Sequence, residues 1–129
     1  MNEKIFITGA SSGIGEALAI EYAKRGAILG LCARRTEKLD DVANKCREFG
    51  AKEVLVYTLD VTDENQVKQM VESVENEWGP ISVLVNNVAI SDHDGLFDLS
   101  VETFDRIFAV NVRGAFLCTR EVARSVSYT

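Results

Sequence analysis

The chain is expected to fold as a doubly wound α/β protein, a parallel sheet with helices on both faces. Short apolar runs recur at 3–8, 27–32, 53–59 and 81–85. Between them lie stretches with apolar residues at helical spacing, closed by Gly26, Gly50 and Gly79. The runs are nearly continuous rather than alternating, as in strands buried on both faces. Right-handed crossovers then leave few topologies for the order β-α-β-α-β-α-β-α. The expected strand order is 3-2-1-4, with the switch point between strands 1 and 4.

At 129 residues the length allows a single domain with a real core. With 47% hydrophobic and 26% charged residues, the composition is that of an ordinary globular chain. A net charge of −6 argues against a nucleic-acid partner, which needs a basic face. No apolar stretch is long enough to span a membrane, and the start MNEKIFITG is not expected to be a targeting leader. Cys32, Cys46 and Cys118 sit in apolar patterns without a CxxC, so buried thiols in a reducing compartment are favoured over metal or redox chemistry. A cytoplasmic location is expected.

Taken in order, strand 1 at 3–8 runs into a glycine turn. A first helix follows from Gly13 to Arg25, with Ile14, Ala17, Leu18 and Tyr22 on its expected inner face. Strand 2 at 27–32 leads to Ala33-Arg34-Arg35. A second helix spans roughly 36–49, carrying Leu39, Val42, Ala43 and Cys46 at helical spacing. Strand 3 ends at the turn Asp60-Val61-Thr62-Asp63, where Thr62 is the expected N-cap of helix 3. That helix carries the stripe Val67, Met70, Val71, Val74 and Trp78, and Gly79-Pro80 stops it. Strand 4 ends at Asn86-Asn87, and 88–99 reads as an irregular loop. Ser100 is the expected N-cap of one long last helix carrying Phe104, Ile107, Phe108, Ala115 and Val122.

The turn Thr8-Gly9-Ala10-Ser11-Ser12-Gly13-Ile14-Gly15 stands between a strand and a helix start, the context that gives such a glycine pattern meaning. It aims backbone N–H groups and the positive end of a helix dipole at one point, which suits a phosphate. Gly9 permits the tight turn, Gly13 lets a pyrophosphate approach, and Gly15 lets the helix pack close. Arg34 and Arg35 stand where a dinucleotide site places its ribose-reading residue. An acid there would bond a free 2′-hydroxyl, whereas two arginines suit a 2′-phosphate. NADP(H) is therefore favoured over NAD(H); the alternative is a solvated basic pair. Asp60 either reads an adenine edge with the Val61 N–H or only organises its turn. Asn111 interrupts the last apolar stripe, as a helix-kinking group or as part of a polar site. His93, between Asp92 and Asp94, reads as a solvated loop tip rather than a metal ligand, and no metal site is expected.

Together these residues resemble the short-chain dehydrogenase/reductase family. The resemblance rests on Thr8 to Gly15, Asp60-Val61, Asn86-Asn87 and Asn111-Val112-Arg113-Gly114-Ala115-Phe116, and runs to about Ala123. It implies a Rossmann-type fold and an NAD(P)(H)-dependent oxidoreductase acting on a small carbonyl or alcohol. It also implies roles: Ser12 and Ile14 at the cofactor phosphates, Asp60 and Val61 at the adenine, Asn87 and Val88 near the nicotinamide-side ribose, with Ser11 and Ala89 also among the expected cofactor-binding residues. Asn111 matches the helix asparagine that supports the family's proton relay.

Two departures stand out. After strand 4 the family has Asn-Asn-Ala-Gly, whereas this chain has Asn86-Asn87-Val88-Ala89, with more bulk and less backbone freedom beside the expected cofactor. The family's catalytic serine and Tyr-x-x-x-Lys are also missing: Tyr128 is followed by one residue. The expectation is one dinucleotide-binding domain over 1–129, lacking the usual C-terminal half and inactive alone. The other readings are a non-catalytic binding or interaction module and a remnant that binds nothing. Strand 4 is expected to be an open sheet edge, and Phe116, Val122 and Val126 to lack partners, so the chain should self-associate through that edge or the last helix, or be marginally stable.

Overall fold

The computed structural model describes residues 3–11 and 13–125. Ser12, Val126 and Tyr128 lie outside the described residues. Four parallel strands, β1 (Lys4–Thr8), β2 (Ile28–Ala33), β3 (Glu53–Thr58) and β4 (Val83–Val85), stand in the expected order β3-β2-β1-β4. The helices are α1 (Gly13–Lys24), α2 (Thr36–Phe49), α3 (Glu64–Trp78), α4 (Val101–Phe108) and α5 (Ala115–Arg124).

Strand alternation sends side chains to two cores. Ile5, Ile7, Leu29 and Leu31 pack with Ala19 and Ala23 of α1 and with Leu39, Val42, Ala43 and Cys46 of α2. Phe6 and Cys32 face the other way, into a cluster with Val67, Met70, Val71 and Val74 of α3 and Leu117, Cys118 and Val122 of α5. Phe6 pairs in register with Gly30, whose missing side chain leaves room for the phenyl ring. Cys32, Cys46 and Cys118 are buried free thiols, as expected.

Four details differ from the sequence reading. The inner face of α1 is Gly15, Ala19 and Ala23, while Ile14 and Ala17 are exposed and Leu18 and Tyr22 only half-buried. The helix is apolar nearly all round, so periodicity does not choose a face, and its smallest residues allow the closest approach to the sheet. Helix α3 is capped by Asp63, whose Oδ1 accepts the Gln66 N–H at 3.1 Å; Thr62 bonds back to Asp60 instead. Strand β4 is two residues shorter than its apolar run, although Ser82 still donates its N–H to the Lys4 carbonyl at 2.9 Å. It pairs only with β1, so it is the sheet edge that was anticipated.

The last helix is not continuous. Ser100 caps it as expected, accepting the Thr103 N–H at 3.1 Å, but a π-helical segment, Ala109–Gly114, separates α4 from α5. The wider turn shifts the helical phase. Phe104 and Phe108 before it are about half exposed, while Val110, Leu117, Cys118 and Val122 are the buried set. Helix α4 buries no side chain, so the stripe from Phe104 to Val122 meets the core only in its last part, at Val122.

Candidate functional site

The carboxyl ends of all four strands open into one cleft of about 530 Å³. Its size suits a small-molecule site. Gly9 and Ser11 follow β1, Ala33 to Arg35 end β2, Leu59 to Val61 follow β3, and Asn87 to Ile90 follow β4. Cys32 and Val110 complete the floor and far wall, and Lys38 reaches the rim from α2.

The glycine turn is held from three sides. The buried Thr8 hydroxyl donates to the Val85 carbonyl at 3.3 Å and accepts the Asn87 N–H at 3.0 Å, which ties the end of β1 to the end of β4. The Asn87 amide Nδ2 donates to the Gly9 carbonyl at 3.0 Å, and Ala10 donates its N–H to the Cys32 carbonyl at 3.1 Å. Gly9 has φ +65°, open to glycine at little cost. A Cβ on Gly15 would overlap the Gly9 carbonyl and stand 2.6 Å from Asn87 Nδ2. The close approach of α1 to the turn thus depends on Gly15.

Positive charge gathers at the β2 end. Arg34, Arg35 and Lys38 are exposed at the cleft, and no ion pair among the described residues engages them. Arg35 is the N-cap of α2 and makes no side-chain cap bond, so the positive end of that helix adds to the field.

Asp60 faces the same cleft. Its Oδ1 accepts the Thr62 N–H at 2.9 Å and the Thr62 hydroxyl at 2.8 Å. The Thr62 backbone N–H is the main cause of a carboxyl held below the ordinary carboxylate range; the Thr62 hydroxyl and the charges of Arg34 and Arg106 act the same way, against partial burial. The turn-organising role of Asp60 is thus visible, and it does not exclude contact with a ligand. Burial pushes the Cys32 thiol up to about 12 and those of Cys46 and Cys118 to about 11, so none is a ready nucleophile.

Asn111 lies in the π segment. Its Oδ1 accepts the Ile90 N–H and its Nδ2 donates to the Ile90 carbonyl, both at 2.8 Å. Both ends of its amide thus hold the loop after β4. Asn86 bonds Thr119 of α5 at 3.0 Å. Val88 and Ala89 line the cleft without backbone strain, because no described non-glycine residue has a positive φ.

Of the residues singled out in the sequence, Gly9, Ser11, Arg34, Arg35, Asp60, Val61, Asn87, Val88 and Ala89 come together around the cleft. Gly13, Ile14 and Gly15 do not line it; Ile14 is 71% exposed at the start of α1. Asn111 touches it only through Ile90. Cys32, Ala33, Lys38, Leu59, Ile90 and Val110 were not anticipated as lining residues. Lys38 had a signal, a first-turn position four residues after Arg34; Ile90 and Val110 had none without the π segment. His93 stands exposed in the loop, and among the described residues no three metal-ligating side chains gather.

A doubly wound parallel sheet, with a glycine turn at the β1/β4 switch point and a cleft beyond the strand ends, defines a Rossmann-type fold. Residues 3–127 match the short chain dehydrogenase family, and the chain belongs to it. An 11-beta-hydroxysteroid dehydrogenase of Pinus massoniana is 42% identical over 113 residues, 86% of this chain and 32% of that protein. The solved structure of an alcohol dehydrogenase from the archaeon Thermococcus sibiricus, complexed with 5-hydroxy-NADP, matches with a TM-score of 0.91 and 32% identity, over 97% of this chain and 53% of the other. An NADH-dependent reductase, A1-R', complexed with NAD, matches with a TM-score of 0.86 and 27% identity, over 96% and 52%. The family is one of oxidoreductases that bind nicotinamide dinucleotides. The chain spans between a quarter and a half of the length of the curated relatives it matches. No described helix is long and apolar enough to cross a membrane.

Proposed function

We propose that residues 1–129 form the dinucleotide-binding domain of a hydride-transferring oxidoreductase acting on a small carbonyl or alcohol, and that this domain takes NADP(H) in preference to NAD(H). The observation that carries the preference is the trio Arg34, Arg35 and Lys38, unpaired among the described residues and gathered at the β2 end of the cleft. In this reading the arginines bond a 2′-phosphate, Asp60 and Val61 flank the adenine, Ser11, Ser12 and Ile14 belong to the phosphate side, Gly13 lets the pyrophosphate approach, and Gly9 and Gly15 serve the turn and the close packing of α1. Asn87, Val88 and Ala89 form the wall on the nicotinamide side. The bound nicotinamide supplies or accepts a hydride. Asn111 holds the loop that keeps the wall in place, and by the resemblance it supports the family's proton relay.

Within these 129 residues no Tyr-x-x-x-Lys stands: Tyr22 and Tyr57 are followed four positions on by Gly26 and Val61. A positioned acid–base group is worth about 10²–10⁴ in rate. The chain is therefore expected to bind cofactor without turnover. Titration with NADPH, followed by its fluorescence, should saturate, while carbonyl reduction stays at the uncatalysed rate. Absence of binding would sink the cofactor reading, and cofactor-dependent turnover would sink the claim of inactivity. Three buried free thiols support a reducing compartment such as the cytoplasm.

A second reading, an interaction module that pairs with another copy, is favoured by one feature. Phe104, Phe108 and Phe116 are each about half exposed, and β4 is an open sheet edge. Light scattering should give a mass above that of the monomer; a strictly monomeric chain at high concentration would reject it.

A further inference from the structure

We propose that the π segment is a brace that sets the width of the cleft, and that Gly114 is the positioning residue that seats it. Three contacts carry this. Val110 forms part of the cleft wall. Asn111, one residue on, grips both backbone groups of Ile90 at 2.8 Å and so holds the loop after β4. Gly114, one turn on, meets the loop after β3: a Cβ built on it would stand 2.7 Å from Val61 Cγ2 and 3.3 Å from Val61 Cβ. Residues 110, 111 and 114, all in the π segment, together touch both loops that flank the cleft.

Val61 cannot easily give way. It is β-branched, with few χ1 choices. Its turn is pinned on both sides: Thr62 bonds Asp60 Oδ1 through its N–H and its hydroxyl, and the Asp60 N–H donates to Gln66 Oε1 at 3.0 Å. A methyl at 114 would therefore push either the Asp60–Thr62 turn or the π segment, and with the latter Ile90. Backbone conformation does not require glycine here, since Gly114 has φ −60°. Helix propensity alone favours alanine at such a position. The two accounts thus predict opposite signs for Gly114→Ala.

The functional meaning of the brace rests on the cofactor reading above, but its contact can be read without cofactor. In the free chain, amide hydrogen exchange at Val61 and Thr62 should quicken in Gly114→Ala and return toward the Val61→Ala rate in the double variant Gly114→Ala/Val61→Ala, which removes the blocking methyl. NADPH affinity should fall about tenfold in Gly114→Ala, and the double variant should bind as Val61→Ala does. If Gly114→Ala fails to fold, Val61→Ile crowds the same gap from the other side and should show the same quickened exchange at Thr62. Unchanged exchange and unchanged affinity in Gly114→Ala, with NADPH bound normally by the parent chain, overturn the brace and leave the cofactor reading intact. A parent chain that ignores NADPH overturns the cofactor reading, and the exchange data then decide the brace alone.

Discussion

The two sides of this sheet are built to different degrees of closure. On the side of β2, the strand and the helices α1 and α2 bury each other: Leu29, Leu31, Leu39, Ala43 and Cys46 are all fully inaccessible, while β3, the other edge strand, buries only Val54. On the side of β4, the edge strand is three half-buried residues, and Phe104, Phe108 and Phe116 of the flanking helices face outward. The loop leading into α4 adds Leu96 and Phe97, which are almost wholly exposed. The basic residues Arg34, Arg35 and Lys38 line the cleft on the closed side and Asn87 to Ile90 line it on the open side; in the proposed reading the latter face the nicotinamide. The difference teaches that the open side depends on a few polar clamps, Thr8, Asn86, Asn87 and Asn111, to hold its loops.

The largest test of that division lies at the closed side. Arg34→Ala/Arg35→Ala should weaken NADPH binding by about a hundredfold, on the scale of two charge-assisted bonds, and leave NADH affinity nearly unchanged. An equal loss for both cofactors would show that the arginines shape the site rather than read a 2′-phosphate.

The open side is probed by Asn111→Ala. It leaves the Ile90 N–H and carbonyl without their partners, and should lower stability by about 1–3 kcal/mol in urea unfolding. Exchange of the Ile90 amide should rise with it. Unaltered stability would mean that the loop after β4 is held by other contacts.

The smallest effect concerns the turn between them. The Asp60 carboxyl is held below its ordinary range in the folded chain. Ionised Asp60 therefore contributes stability that is full above the ordinary carboxylate range, and that is lost as pH falls through the lowered value. Asp60→Asn should be less stable than the parent chain at neutral pH, with the gap closing in acid. A gap independent of pH would mean that the carboxylate charge plays no part.

Much of this was legible in the sequence, and the exceptions have physical causes. Element order, strand order and the open edge followed from continuous apolar runs and crossover handedness, which depend on no single residue. Arg34, Arg35, Asp60 and Asn87 were found because strand ends converge on one crevice in this topology. Helix α1 misled because apolar residues surround it, and only contact with the sheet distinguishes Ala19 from Leu18. The cap of α3 was ambiguous because Thr62 and Asp63 are both cap formers, and Asp60 draws Thr62 away. Lys38 reads locally as a solvent-facing helix residue. The π segment has no periodic signature, and its one trace was Asn111 standing in an apolar stripe.

The central claim, that the closed side reads a 2′-phosphate, is tested most directly by calorimetric titration of the unaltered chain with 2′,5′-ADP against 5′-ADP. Neither fragment carries a nicotinamide, so the open side plays no part. The account predicts binding of 2′,5′-ADP at least about tenfold tighter than 5′-ADP, as one added charge-assisted contact would give. Equal affinities, or tighter binding of 5′-ADP, would contradict it.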